Sequence, residues 1–183
     1  MLYTRKGDKG TTGTFGCNQK ISKSSAIAEA LGALDEINSL LGTCKVRSSD
    51  QQLTTNNQQV SEIINTVQQN LFIIQAELAG ADKKIAGEKV SAMEEIIDAI
   101  EKELPPIKTF FVSGGTELAA LFDFARTVAR RAERRVVEVA EKGDRKIGEH
   151  TLAYLNRLSS LLYALARYSN HAAGITEQSP DYK

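Results

Sequence analysis

Tryptophan is absent from this chain of 183 residues, proline occurs three times and cysteine twice. Scarce proline leaves long stretches free to run as helix. Two cysteines, Cys17 and Cys44, form no metal-type spacing, and they fit a reducing compartment better than a disulfide scaffold. Neither sign of charge dominates, with 23 Lys and Arg against 23 Asp and Glu. That balance excludes a general nucleic-acid or membrane surface. No apolar run reaches the roughly 18 residues of a membrane span, and residues 1–20 lack the apolar core of a secretory signal. The expected location is therefore the cytoplasm. No Ser-His-Asp or Cys-His arrangement is apparent. His150 and His171 are too far apart for a helical ligand pair, and Glu149-His150 is not the Glu-x-x-His of a di-iron bundle. No protein-held metal site is expected, and an ordinary nucleophilic enzyme finds no residues here.

What is present is helix. Residues 117–142 contain neither Pro nor Gly, and Leu118, Leu121, Phe122, Ala125, Ala129, Ala132, Val136, Val139 and Ala140 recur at the spacing of one helical stripe. Beside that stripe stand Arg126, Arg130 and Arg134, each four residues after the last. Like charges so placed repel by about 0.2–0.5 kcal/mol per pair. A row of three therefore reads either as a solvated face or as an anion site. All three are Arg, whose planar fork suits carboxylate or phosphate, and the row borders the apolar stripe instead of opposing it. A polyphosphate and an acidic patch of another subunit are both suitable ligands.

The chain is long enough for one well-buried core. Residues 1–23 are rich in Gly, Thr and Lys, with Gly7, Gly10, Gly13 and Gly16 at every third position. They lack the Gly-Lys-Ser/Thr of a Walker A loop. A loose terminal tail and a phosphate-cradling loop both fit. Ser24 or Ser25 caps a helix running to about Val46 with Ile27, Leu31, Leu34, Asn38 and Leu41 inward. Residues 47–58 read as a polar linker with some disorder. Further helices are predicted over about 58–80 and 88–103, the latter ending before Pro105-Pro106. Phe110 and Phe111, ahead of Gly114-Gly115, suit either core or pocket lining. The last helix is predicted over about 145–173, with a polar seam of Asn156, Ser160, Tyr163 and Arg167, and residues 174–183 as a frayed tail. The fold class is all-α, a five-helix up-and-down bundle over residues 24–173, with no credible strand beyond a short edge in the opening.

Four ordered segments carry a resemblance: YTRKGDKGTTGTFG with Lys23, GALDEINSLLG, ARTVARRAERRVV and YLNRLSSLLYALARY. Together they resemble the PduO-type ATP:cob(I)alamin adenosyltransferases over most of residues 1–170. The resemblance implies a homotrimer with its site between subunits. It also implies transfer of the 5′-deoxyadenosyl group of ATP to cob(I)alamin with release of triphosphate. The nucleophile is then the Co(I) of the corrinoid substrate, so no activated Ser or Cys is needed. Thr4, Arg5, Gly7, Asp8, Gly10, Thr11 and Lys23 match the family's ATP-binding opening, with Mg²⁺ expected on the phosphates. Arg130 and Glu133 match its ATP-contacting pair, Arg134 follows one turn on, and Asn156 matches a nucleotide-contacting Asn. Asp35 matches a carboxylate that pairs with Arg126 across the subunit interface. Phe110 matches the aromatic that crowds the lower face of the corrin.

Ser113 stands where the family often has Pro, and Ser160 where it often has Asp, which bears on the loop presenting Phe110 and on corrinoid affinity. Implied partners are ATP, a corrinoid, a flavoprotein-type reductase and an adenosylcobalamin-dependent enzyme, without nucleic acid or membrane. The alternative is an ATP-binding regulatory or cobalamin-delivery bundle without turnover. A third reading, a structural oligomer in which the Arg row only makes interface salt bridges, leaves the Gly/Thr/Lys opening unexplained.

Overall fold

The computed structural model describes residues 3–14, 20–55 and 58–183; Gly16 and Cys17 lie outside them. Five helices carry the chain: α1 (Ala26–Asp50), α2 (Val60–Ala79), α3 (Gly87–Glu103), α4 (Glu117–Glu141) and α5 (Glu149–Ala172). Two small antiparallel pairs accompany them, β1 (Thr11–Gly13) with β2 (Lys20–Ser22) and β3 (Thr54–Thr55) with β4 (Gln58–Gln59). The first pair aligns Thr12 with Ile21 and the second Thr55 with Gln58.

Packing runs in the order α2, α1, α4, α5, α3, so the Arg-bearing α4 lies between α1 and α5. The helix α3 packs chiefly on α5. Its gap from α2 is bridged by Lys89 Nζ, which donates to Asn70 Oδ1 at 2.7 Å. Asn70 Nδ2 in turn donates to the buried Tyr154 hydroxyl at 3.0 Å. The core is mostly aliphatic, built on Leu34, Ile37, Leu41, Ile64, Leu71, Ile74, Leu78, Ile100 and Leu155, with Phe122 and Tyr154 as its large buried aromatics. Among the described residues no helix is long and apolar enough to cross a membrane.

Side-chain caps explain the starts of α1 and α4. Ser25 accepts from the Ala28 amide and Thr116 from the Ala119 amide, at 3.3 and 3.1 Å, each satisfying an amide that the first turn leaves open. Four expectations are corrected. The polar residues after Val46 continue α1 to Asp50, because Ser48 and Ser49 return their hydroxyls to the Lys45 carbonyl and Ser48 is buried. What was expected to be a disordered linker then forms the β3–β4 pair, although Asn56 and Asn57 lie outside the described residues. The last helix starts at Glu149 and not at 145. Buried Glu77 of α2 accepts from the Gly148 amide at 2.8 Å and from Thr151 Oγ1 at 2.5 Å. A carboxylate at a helix N-terminus satisfies open amides and favours that end of the dipole, which fixes the start. Finally, residues 174–183 are not simply frayed: the Gln178 carbonyl accepts from the Val112 amide at 2.8 Å.

Candidate active site

A cavity of about 630 Å³ opens between α4, α5 and the loop after α3, a volume suited to a small-molecule site. Asp123, Arg126 and Arg130 line it from α4, and Ser159, Ser160 and Tyr163 from α5. The loop contributes residues 107–111 and Ser113. The helical period explains the set on α4: the row of Arg side chains borders the apolar stripe, so it falls at the seam where α4 meets α5. Three cations, Lys108, Arg126 and Arg130, face one carboxylate, Asp123. That carboxylate is engaged, accepting from the Gly114 amide at 3.1 Å. The walls thus favour an anionic ligand.

Arg126 is held against the Tyr163 ring, its guanidinium carbon 6.0 Å from the centroid. Its Nε is buried and has no hydrogen-bond partner among the described residues. Burial pushes the Tyr163 hydroxyl above its ordinary range. Phe110 is 78% exposed, an unusual position for a phenyl ring, and it borders the cavity. Beside it Phe111 turns inward over the Arg167 guanidinium, 5.0 Å from carbon to centroid.

Of the residues singled out in the sequence, the structure brings Phe110, Arg126 and Arg130 to this one cavity. Ser113 and Ser160, the departures from the family pattern, line it too. Asn156 and Glu133 also meet, Asn156 Nδ2 donating to Glu133 Oε1 at 2.9 Å. Arg134 is exposed on α4. Asp35 is exposed on α1, and its neighbour Glu36 forms an ion pair with Arg131.

The opening is a second cluster. It is folded, with Gly10 donating to the Gly7 carbonyl at 3.1 Å and Lys23 to the Gly10 carbonyl at 2.9 Å. The backbone of Arg5 sits at φ 57, which is rare outside glycine. A Cβ on Gly7 would lie 3.1 Å from Lys23 Nζ, so Gly7 leaves room for that amine. Thr4, Asp8 and Thr11 share this turn and its strand. No hydrogen bond or ion pair among the described residues links the opening to Arg130, Glu133 or Asn156.

Two residues that secure the loop bordering the cavity, Asn170 and Glu177, carried no sequence expectation. Asn170 accepts from the Thr116 amide at 2.9 Å and donates to the Gly114 carbonyl at 2.8 Å, tying the loop to the start of α4. Gly115 fits there alone, with φ 103 and room for no Cβ: one would lie 2.2 Å from Asn170 Oδ1. Extending the seam of Asn156, Ser160, Tyr163 and Arg167 by one more step reaches Asn170. Glu177, the other, lies beyond any helical period.

The model of the family described as cobalamin adenosyltransferase matches residues 2–169. The chain belongs to that family. The corrinoid adenosyltransferase PduO of Citrobacter freundii is 38% identical over 179 residues, covering 94% of this chain and 50% of its relative. The chain thus spans about half the length of that protein and of its Salmonella typhimurium counterpart. The corrinoid adenosyltransferase of Bacillus subtilis is 39% identical over 178 residues, covering 95% and 89% respectively. Among solved structures, a variant PduO-type ATP:corrinoid adenosyltransferase from Lactobacillus reuteri, complexed with cobalamin and ATP, matches with TM-score 0.88. It is 31% identical, and the match covers 100% of this chain and 97% of that one. The expected family is therefore the observed one.

Proposed function

We propose that this chain transfers the 5′-deoxyadenosyl group of ATP to cob(I)alamin, releasing triphosphate. The supporting observation is the meeting of Phe110, Arg126 and Arg130 at one cationic cavity in a member of the cobalamin adenosyltransferase family. The reduced corrinoid substrate supplies the nucleophile, Co(I), so the protein's work is alignment, charge stabilisation and exclusion of water. Arg130 offers a fork of N–H donors to the triphosphate, whose negative charge grows as the C5′–O bond breaks. Glu133 and Asn156, already hydrogen-bonded to each other, orient the nucleoside end. Phe110 presents its ring to the lower face of the corrin, where it displaces the axial base and eases reduction to Co(I).

A homotrimer with the site between subunits accounts for the remaining expectations. The Thr4–Thr11 turn with Lys23 forms the phosphate cradle, and a neighbouring subunit's α4 and α5 complete it. Two features support this: the opening makes no hydrogen bond to Arg130, and Arg126 Nε lacks a partner within its own chain among the described residues. Asp35 of an adjacent subunit is the carboxylate assigned to Arg126. Mg²⁺ fits as a companion of ATP. The carboxylates nearest the proposed phosphate groups, Asp8 of the opening and Asp123 beside Arg130, sit on separate elements, and Asp123 already accepts from the Gly114 amide, so the ion takes most of its oxygens from phosphate and water. A flavoprotein-type reductase, a cobalamin-dependent acceptor enzyme and a cytoplasmic setting complete the proposal.

The test is anaerobic turnover of purified protein with Mg-ATP and chemically reduced cobalamin. Stoichiometric adenosylcobalamin and triphosphate are expected. ATP binding without product would favour a regulatory or delivery role, and absence of ATP binding would overturn both readings.

A further inference from the structure

The loop that carries Phe110 leaves the bundle at Pro105 and rejoins it at Thr116, and most of its residues are exposed. An exposed phenyl ring can crowd a ligand only if its backbone is held, because a loose loop yields under load. One buried side chain does much of the holding. Arg167 of α5 is 4% exposed, and its guanidinium has three engagements. Nη2 donates to the Pro105 carbonyl at 3.0 Å, at the start of the loop. The guanidinium face lies against the Phe111 ring, at its middle. Nε donates to Glu177 Oε2 at 2.9 Å, an ion pair whose carboxylate is itself 17% exposed.

Glu177 belongs to the segment after α5, and the next residue closes the arrangement. The Gln178 carbonyl accepts from the Val112 amide at 2.8 Å, so the tail grips the loop two residues past Phe110. The segment turns back under control of α5, the Ile175 amide donating to the Asn170 carbonyl at 2.9 Å. Phe110 is thus flanked by a tether at Pro105, a stacked neighbour at Phe111 and a tail-held amide at Val112. All three depend on Arg167 or on the tail that it anchors. A charge-assisted pair removed from water is directional and strong, and the loop's other ties, from Asp123 and Asn170, hold only its far end at Gly114 and Thr116.

We propose that Arg167 and Glu177 are positioning residues for the reaction: their ion pair straps the C-terminal segment to the Phe110 loop and sets the ring's pose against the corrinoid. This rests on the proposed function. In that frame the strap governs the step that needs the lower face crowded, the activation of Co(II), and not adenosyl transfer to cobalt already reduced. Neither residue lines the cavity, so both act through the loop.

The experiment compares wild type, E177Q and R167K, with F110A as the reference for loss of the ring itself. Each is assayed with pre-reduced Co(I) cobalamin and with Co(II) cobalamin reduced on the enzyme by one electron from a chemically reduced flavoprotein, and Val112 amide exchange is followed by NMR. Wild-type turnover with Co(I) first tests the parent reading independently. Given that turnover, E177Q and R167K are expected to lose roughly tenfold or more in kcat with Co(II). The Co(I) rate and the KM for ATP should stay within about twofold, and Val112 exchange should accelerate. Circular dichroism checks helicity, and E177Q, the milder change, remains informative if R167K is poorly folded. Faster Val112 exchange with unchanged Co(II) turnover would overturn the proposal, as would equal losses with Co(I) and Co(II).

Discussion

Arg130 and Cys44 lie at opposite ends of burial, one proposed to act and the other packed in the core. Arg130 is exposed at the cavity wall, and exposed side chains contribute little to stability. Its removal should therefore be felt in chemistry: Arg130→Ala is expected to lower turnover with reduced cobalamin by about 10²–10³-fold, the usual loss of a charge-stabilising donor. Near-normal rates in a folded, assembled variant would remove Arg130 from the site. Cys44 is the opposite case, fully buried on α1, and burial pushes its thiol up to about 12. Tyr154, buried beside Asn70, is likewise pushed up to about 12. Both groups are neutral in the folded state and ionise more readily once unfolded. Their contribution is fully present below pH 9, the ordinary value for the thiol, and is lost as pH rises towards 12. Urea denaturation between pH 8 and 11 should show stability falling with pH, and Cys44→Val should flatten that fall. An identical slope in the variant would mean that Cys44 does not contribute. For the same reason the native thiol should resist alkylating reagents at neutral pH.

At the scale of the element, α5 begins where a partner tells it to. The sequence from Arg145 to Gly148 is compatible with helix by composition, so the period alone runs the helix too far back. The start at Glu149 comes from Glu77, 71 residues away along the chain from Gly148. Long-range carboxylate caps of this kind leave no local signal. The converse holds for α2, α3 and α4, whose bounds agree with expectation to within two residues at each end, with Gly80, Pro105, the Thr116 cap and Gly143 all adjacent in sequence to the ends they mark. The row of Arg126, Arg130 and Arg134 was also legible, since α4 is regular. Asn170 and the tail were not, because their meaning depends on a loop folded against them. Glu77→Ala gives this argument a number. It strands the Gly148 amide and the Thr151 hydroxyl, for a cost of about 2–3 kcal/mol. That is a Tm lower by about 4–12 °C for a chain of this size. A loss below 1 °C by calorimetry would mean that water replaces the carboxylate without penalty.

For the whole molecule, no hydrogen bond or ion pair among the described residues joins the two halves of the proposed nucleotide site within one chain. The opening folds on itself with Arg5, Gly7 and Lys23, while Arg130, Glu133 and Asn156 sit on α4 and α5. Arg126 makes the same point at one atom. A guanidinium nitrogen shut off from water without an acceptor is costly, by about 1–3 kcal/mol and more for a charged group. Asp35 is exposed on a helix that packs beside α4, so it is free to meet another copy. Association that brings Asp35 of one subunit to Arg126 of the next would supply the missing acceptor and join the halves. Asp35→Asn keeps the shape and removes the charge. It should weaken the proposed trimer in sedimentation experiments at micromolar concentration and lower corrinoid affinity, while nucleotide binding by the assembled fraction changes less. The monomer's helicity should not move, since Asp35 is a surface residue of its own chain. If the variant remained fully trimeric and lost only ATP affinity, the acceptor for Arg126 would have to lie elsewhere, and Asp35 would belong with the nucleotide groups.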